Sequence, residues 1–189
     1  MDDSLHFSYL SNNHRTIEIS GTRFFFDTNF AGDPEKGYCG STERRGTIVI
    51  PEELGLDLIN DGYKSVKPTR PSQRLIDEGR MDEFIQQYLV PIKVAYRDRY
   101  GNPVEWPPKV FLTTEEGNET LLDEESIGTI DKIWISHVDV IVTKRYSDRG
   151  NTLYVRSMEV FQKTNDDPIT ARHRNRKNRD DDDDCIPFN

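Results

Sequence analysis

The sequence predicts a mostly β fold: a small barrel with short helices, followed by a disordered acidic C-terminal tail. Three observations predict it. Between Arg15 and Lys163, short runs of β-branched and aromatic residues alternate with polar ones and are set apart by Gly and Pro turns. Only two stretches open with the leading acids of a helix, Glu52-Glu53 and Asp123-Glu124-Glu125. Asp180 to Asp184 form an unbroken anionic run that cannot pack into a core.

Residues 1–14 are polar and read as a loose arm. From Arg15 to Phe30 the chain alternates as a strand, with Gly21 as a bulge or bend. A Gly/Pro-rich loop from Ala31 to Ser41 leads to a second strand, Gly46 to Ile50. Pro51-Glu52-Glu53-Leu54 opens a helix, with proline in the first turn, acids facing the helix dipole and Gly62 as the stop. Tyr63 to Lys67 reads as a short strand, residues 68–83 as an irregular connector, and Phe84 to Arg97 as a long strand in which Pro91 marks a bulge or an edge. Lys109 to Thr114 is another strand and Asp123 to Ile130 a short helix.

The clearest hairpin joins Ile133–Tyr146 to Asn151–Lys163 through Asp148-Arg149-Gly150. Val138, Val140 and Val142 share one of its faces, and Tyr154, Arg156, Met158 and Val160 share another. Phe24 to Phe26, Phe111, Trp134 and Phe161 lie in apolar alternation and are expected in the core. Several strands with two short helices and long loops indicate an OB-fold-like barrel, with a sandwich as the alternative.

The chain has 189 residues, enough for one domain with appendages, and 34% hydrophobic content suffices for a core only if residues 15–165 hold most of it. No apolar run approaches the roughly 20 residues of a membrane span. Met1-Asp2-Asp3-Ser4 is no secretory leader, so a cytoplasmic protein is expected, with Cys185 a free thiol there. Cys39 and Cys185 build neither a metal site nor a disulfide framework. No phosphate-binding loop, zinc-protease helix or nucleophile elbow is present, and the four histidines are scattered. His137 reads as a structural strand residue. No enzyme activity, cofactor or metal is expected.

The end of the chain combines two chemistries. Asp180, Asp181, Asp182, Asp183 and Asp184 supply charge, and Ile186, Pro187 and Phe188 supply an apolar tip. Proline stiffens the backbone beside the ring, which lowers the entropy lost on docking, while the aspartates suit a basic rim. This ending resembles the acidic tip of bacterial and phage single-stranded DNA-binding proteins, with Cys185 inserted at the junction and Asn189 after the phenylalanine. Within the core, Thr28-Asn29-Phe30-Ala31-Gly32, then Leu58 to Lys67, Ile92 to Arg97, Leu122 to Gly128 and Val138 to Val142 follow in an order similar to the phage members of that family, across roughly residues 23–165.

The resemblance implies binding of single-stranded DNA, which needs cations along the sugar-phosphate path and flat rings for the bases. Residues of both kinds sit side by side at Tyr63, Lys64 and Lys67. They do so again at Lys93, Tyr96, Arg97 and Tyr100, and at Lys144, Arg145 and Tyr146. Trp106, in the polar loop Glu105-Trp106-Pro107-Pro108, completes the expected set. The net charge of −9 opposes this, because the tail aspartates only cancel the five basic residues from Arg172 to Arg179. Any strand must therefore follow a local basic groove.

The expected organisation is a flexible arm (1–14), an OB-fold-like domain (15–165), a basic linker (166–179) and an acidic protein-interaction tail (180–189). The expected function is sequence-independent single-stranded DNA binding in DNA replication, recombination or repair. Partner proteins would be recruited by the tail in the host cytoplasm, with no membrane partner and with homo-oligomerisation left open. The alternative is an acidic adaptor or DNA mimic that does not bind DNA.

Overall fold

The computed structural model describes residues 4–163. Among the described residues nine strands form one sheet. Its order is β1 (His6–Tyr9), β2 (Thr16–Thr22), β8 (Ile135–Arg145), β9 (Thr152–Gln162), β5 (Gln87–Val94) and β3 (Arg44–Pro51), with β4 (Lys67–Pro68) on β5 and the hairpin of β6 (Lys109–Thr113) and β7 (Glu119–Leu122) on β9. Strand β1 (His6–Tyr9) adds to the edge of β2 (Thr16–Thr22), so part of the expected loose arm belongs to the sheet. Strand β3 (Arg44–Pro51) runs directly into helix α1 (Glu52–Asn60), where Pro51 takes the N-cap position and Gly62, at φ +86°, follows the end. Strand β4 is only Lys67–Pro68. The expected strand at Tyr63 to Lys67 is otherwise a turn.

The connector carries a short helix, α2 (Gln73–Asp77), and a 3-10 turn at Met81–Glu83. Strand β5 (Gln87–Val94) is shorter than expected. Its partner changes from β4, at Tyr88 and Leu89, to β9, at Ile92 and Lys93. Pro91 falls in the gap, where its missing N–H costs no ladder bond on that side. Strands β6 (Lys109–Thr113) and β7 (Glu119–Leu122) form an inserted hairpin. The expected helix at Asp123 is a side-chain-capped turn, with Asp123 accepting from the backbone N–H groups of Glu125 and Ser126, followed by a 3-10 turn at Ile127–Lys132.

Strands β8 (Ile135–Arg145) and β9 (Thr152–Gln162) are the predicted hairpin. Beyond β2 the chain turns onto β3. Phe24 bridges Ile48, Asn29 bridges Arg45, and the Phe25 N–H donates to the Thr47 carbonyl at 2.9 Å. The path β2–β3–β5–β9–β8 thus returns to β2, with β5 and β9 parallel. That is the five-strand circuit of an OB-type barrel. Gly21, at φ +65°, sits where the β2–β8 register shifts, as the sequence indicates.

The barrel interior is aliphatic: Ile17 and Ile19 of β2, Ile48 and Ile50 of β3, Val90, Ile92 and Val94 of β5, Val138, Val140 and Val142 of β8. On β9 the inward residues are Leu153 and Val155, then Met158 and Val160. This corrects the expected single face. Ile141 pairs with Ser157 while Val142 pairs with Val155, so Arg156 is an extra residue that flips the alternation. Helix α1 lies tight on β5, because a Cβ on Gly55 would stand 2.4 Å from the Tyr88 ring.

The core expectation fails at five of its six rings. Phe25 and Phe26 are exposed, since the strand continuing from β2 presents Phe24 and Phe30 inward instead, and Trp134 is exposed as well. Phe111 and Phe161 are half-buried and lie outside the core, because they alternate with the inward Val110 and Val160. His137 stacks on Phe161 with centroids 4.1 Å apart, a structural contact.

Candidate nucleic-acid interface

Cross-strand register builds the site. Arg45 of β3 is opposite Lys93 of β5, and Lys93 is beside Tyr154 of β9. Cross-strand partners share a face, so these three form a row on the outside of the barrel, while Ile92 and Val94 on either side of Lys93 point inward. A cleft of about 860 Å³ crosses this face. The turn after β5 supplies Arg97, Arg99 and Tyr100, the next loop supplies Trp106, and the end of β8 supplies Arg145.

Trp106 is 85% exposed, so its whole ring faces solvent. The Arg145 guanidinium carbon lies 4.6 Å from the centre of the Tyr154 ring, and that of Arg99 lies 4.6 Å from the Tyr100 ring. Such cation–ring pairs hold a flat surface and a positive charge at one place.

Three carboxylates line the same groove, and one of them, Asp98, is taken up by the backbone N–H groups of Tyr100 and Asn102. Glu43 pairs with Lys93 at 2.5 Å, and Glu124 takes the Arg97 Nε at 2.9 Å. Hydrogen bonding from Arg97 holds the Glu124 carboxyl below the usual glutamate range. Arg44 reaches over the barrel end, donating to the Phe30 carbonyl at 2.6 Å.

The cleft brings together Lys93, Tyr96, Arg97, Tyr100, Trp106 and Arg145 of the expected residues. Tyr96, however, is packed in the core and forms floor rather than a free ring. Burial pushes its hydroxyl up to about 12, and the hydroxyl has no hydrogen-bond partner among the described residues. The structure also corrects Tyr63 and Lys144. Tyr63 is 2% exposed, filling the core below α1, and cannot stack on a base. Lys144 is 2% exposed: it continues the inward row of β8, where it is paired with Asp61 and lies over the Tyr9 ring.

Tyr146 is exposed, but it faces a separate recess shared with Tyr9, His14, Asp57 and Asp61. Lys64 and Lys67 are exposed on the turn into β4 and do not line the cleft. Arg44 and Tyr154 do line it, although no motif marks them. For Tyr154 the signal was parity, since it lies between the inward Leu153 and Val155. Residues 1–3, the end of the expected domain beyond Lys163, the basic linker and the tail residues, including Cys185, lie outside the described residues.

An OB-type barrel with rings and cations across its β3–β5–β9 face has the form of a nucleic-acid-binding module. The chain belongs to the family described as "Putative phage ssDNA-binding domain", whose sequence profile matches residues 9–182. No curated protein matches the chain. Among solved structures it is similar to the C-terminally truncated single-stranded DNA-binding protein from bacteriophage Enc34. The identity is 12% and the TM-score 0.40, over 79% of this chain and 86% of that one. A second structure of the Enc34 single-stranded DNA-binding protein matches at 12% identity and a TM-score of 0.37, over 87% of this chain and 92% of that one.

Proposed function

We propose that the cleft binds single-stranded DNA irrespective of sequence, with Lys93, Arg97, Arg99 and Arg145 along the phosphates and Tyr100, Trp106 and Tyr154 under the bases. The observation that carries this is that the neighbours Lys93 and Tyr154 open onto the exposed Trp106 in one groove. No base-edge reader is required, because every base offers a π face. The protein then acts in phage DNA replication, recombination or repair by covering strands. The tail, residues 180–189, recruits partner proteins through Ile186, Pro187 and Phe188 and competes with DNA for basic surface until a strand displaces it. We assign the protein no catalytic role.

Fluorescence anisotropy with oligo-dT over a salt series tests the reading. Affinity that falls steeply and linearly in log salt supports it. Absence of binding at low salt overturns it in favour of the acidic adaptor. Deleting residues 180–189 should raise oligo-dT affinity at low salt, and unchanged affinity would remove the competition by the tail.

A further inference from the structure

The three exposed rings that the core expectation misplaced lie together. Phe25, Phe26 and Trp134 line one recess of about 750 Å³, with Trp134 70% exposed and Phe26 60% exposed. Phe25 and Phe26 meet edge to face with centroids 4.8 Å apart. Isolated exposed apolar residues need no explanation, but three rings around one recess do.

These rings stand on fixed backbone. The Phe25 N–H is bonded to β3 at Thr47, and Phe24 bridges Ile48. The Trp134 carbonyl accepts from the Lys163 N–H at 2.8 Å. Between them, Asp131 accepts from the Thr28 hydroxyl at 2.6 Å and from the backbone N–H groups of Phe30 and Ala31 at 2.9 and 2.8 Å. The loop at 28–31 is therefore tied to the 3-10 turn that leads into Trp134.

We infer that Phe25, Phe26 and Trp134 form a second base-stacking surface, taking unpaired nucleobases of a strand that continues out of the cleft past Arg97 and Lys132. The inference rests on the single-stranded DNA reading above. Continuity carries it. A smaller recess of about 480 Å³ shares Ala31, Arg44, Arg97 and Glu124 with the cleft and extends to Lys132, two residues before Trp134. The ring recess begins on the other side of that same turn, at Asp131 and Ile133.

Charge and shape agree with this occupant. Lys36 lines the ring recess and Lys132 lines the recess that leads to it, so each offers a cation to a sugar-phosphate backbone. Asp131 is taken up by its three hydrogen bonds, leaving Asp27 as the other carboxylate of the recess. The exposed apolar surface here is mostly ring, the shape a base stacks on, whereas the neighbouring isoleucines are buried or half-buried.

The chain has two tryptophans, and the fold places one on each surface: Trp106 in the cleft and Trp134 on the second. W134F leaves Trp106 as the sole reporter and W106F leaves Trp134, each keeping a ring at the replaced position. Both are titrated with oligo-dT of about 6 and of about 30 nucleotides, short and long against the usual span of one OB fold. Oligonucleotide is held in excess so that each strand carries one protein. Trp106 emission should be quenched by both lengths and Trp134 emission by the long one alone.

The double variant F26A/W134A should lose tenfold or more in affinity for the long oligonucleotide and little for the short one. Its thermal melt should match the parent, because both side chains are exposed. Trp106 quenching with Trp134 unmoved by the long strand overturns the second surface and leaves the cleft standing. Silence of both tryptophans, with no binding at low salt, fells the cleft reading itself. A Trp134 response without DNA, either to deletion of residues 180–189 or to protein concentration, assigns the surface to the tail or to a second copy and overturns the proposal.

Discussion

Arg97 and Glu124 face each other over the cleft, the guanidinium Nε 2.9 Å from one carboxylate oxygen and 3.1 Å from the other. The same carboxylate lies 4.0 Å from Arg44, and Glu43 holds Lys93. A carboxylate offers these cations what a phosphate offers, two oxygens and a negative charge. On the strand path proposed above, the two glutamates of the free protein hold cations that phosphates would take. Neutralising them, as E43Q and E124Q, should therefore raise oligo-dT affinity several-fold at low salt, and the gain should shrink as screening increases. Anisotropy titrations check this. Weaker binding by E124Q would show instead that Glu124 positions Arg97 for the strand.

The same pair sets a pH dependence. Arg97 lowers the folded-state titration of Glu124, so its stabilising contribution is complete above the ordinary glutamate pKa of about 4.3 and is lost as pH falls through the lowered value. The melting temperature of wild type minus that of E124Q should be constant above about pH 6 and should collapse only in acid below the ordinary glutamate range. Differential scanning calorimetry across pH reads it.

Rings and cations in the cleft should separate by salt. Tyr100→Ala, Trp106→Ala and Tyr154→Ala should each weaken oligo-dT binding by about 5- to 150-fold, the worth of one stacked base, and leave the salt slope unchanged. Lys93→Ala and Arg145→Ala should each reduce the slope by about 1.

Lys144 should behave oppositely to Lys93. It is buried against Asp61, whose side chain is partly exposed, so Lys144→Ala should destabilise the fold by on the order of 2 kcal/mol, below the cost for a fully buried pair. Urea denaturation measures this loss. The salt slope of DNA binding should be that of the parent.

Gly55→Ala should destabilise by about 1–3 kcal/mol, because the added methyl meets the Tyr88 ring where α1 lies on β5. The midpoint of chemical unfolding should fall while oligo-dT affinity of the folded protein holds.

Local features were legible in the sequence. The β8–β9 hairpin, the start of α1 beside Pro51 and the bend at Gly21 depend on neighbours within a few residues, and all three are present, although Pro51 is the N-cap rather than part of the first turn and the β9 face differs from the reading. Barrel closure depends on Phe24 meeting Ile48 and on β5 lying parallel to β9, pairings between distant residues that no local pattern encodes. Among the site residues, adjacency of ring and cation was a poor guide, because neighbours on a strand face opposite ways. Parity was a better one. Lys144 continues the inward sequence Val138, Val140, Val142, and Tyr154 is outward between Leu153 and Val155. The register slip at Arg156 hid that logic further along β9, and the exposure of Phe25, Phe26 and Trp134 followed from which ring of a run the barrel needed.

Strand β9 bonds to β8, β5 and β6 at once. A nascent chain emerging from the ribosome can assemble the β3–β5 ladder early, yet it has no means of closing the cylinder before residue 162 is polymerised. Until then the aliphatic faces of β5 and β6 wait without a cover, and the distant pairings that follow are of the slow kind. Newly made copies thus pass through an interval of vulnerability to aggregation, set by translation speed rather than by the strength of the finished barrel.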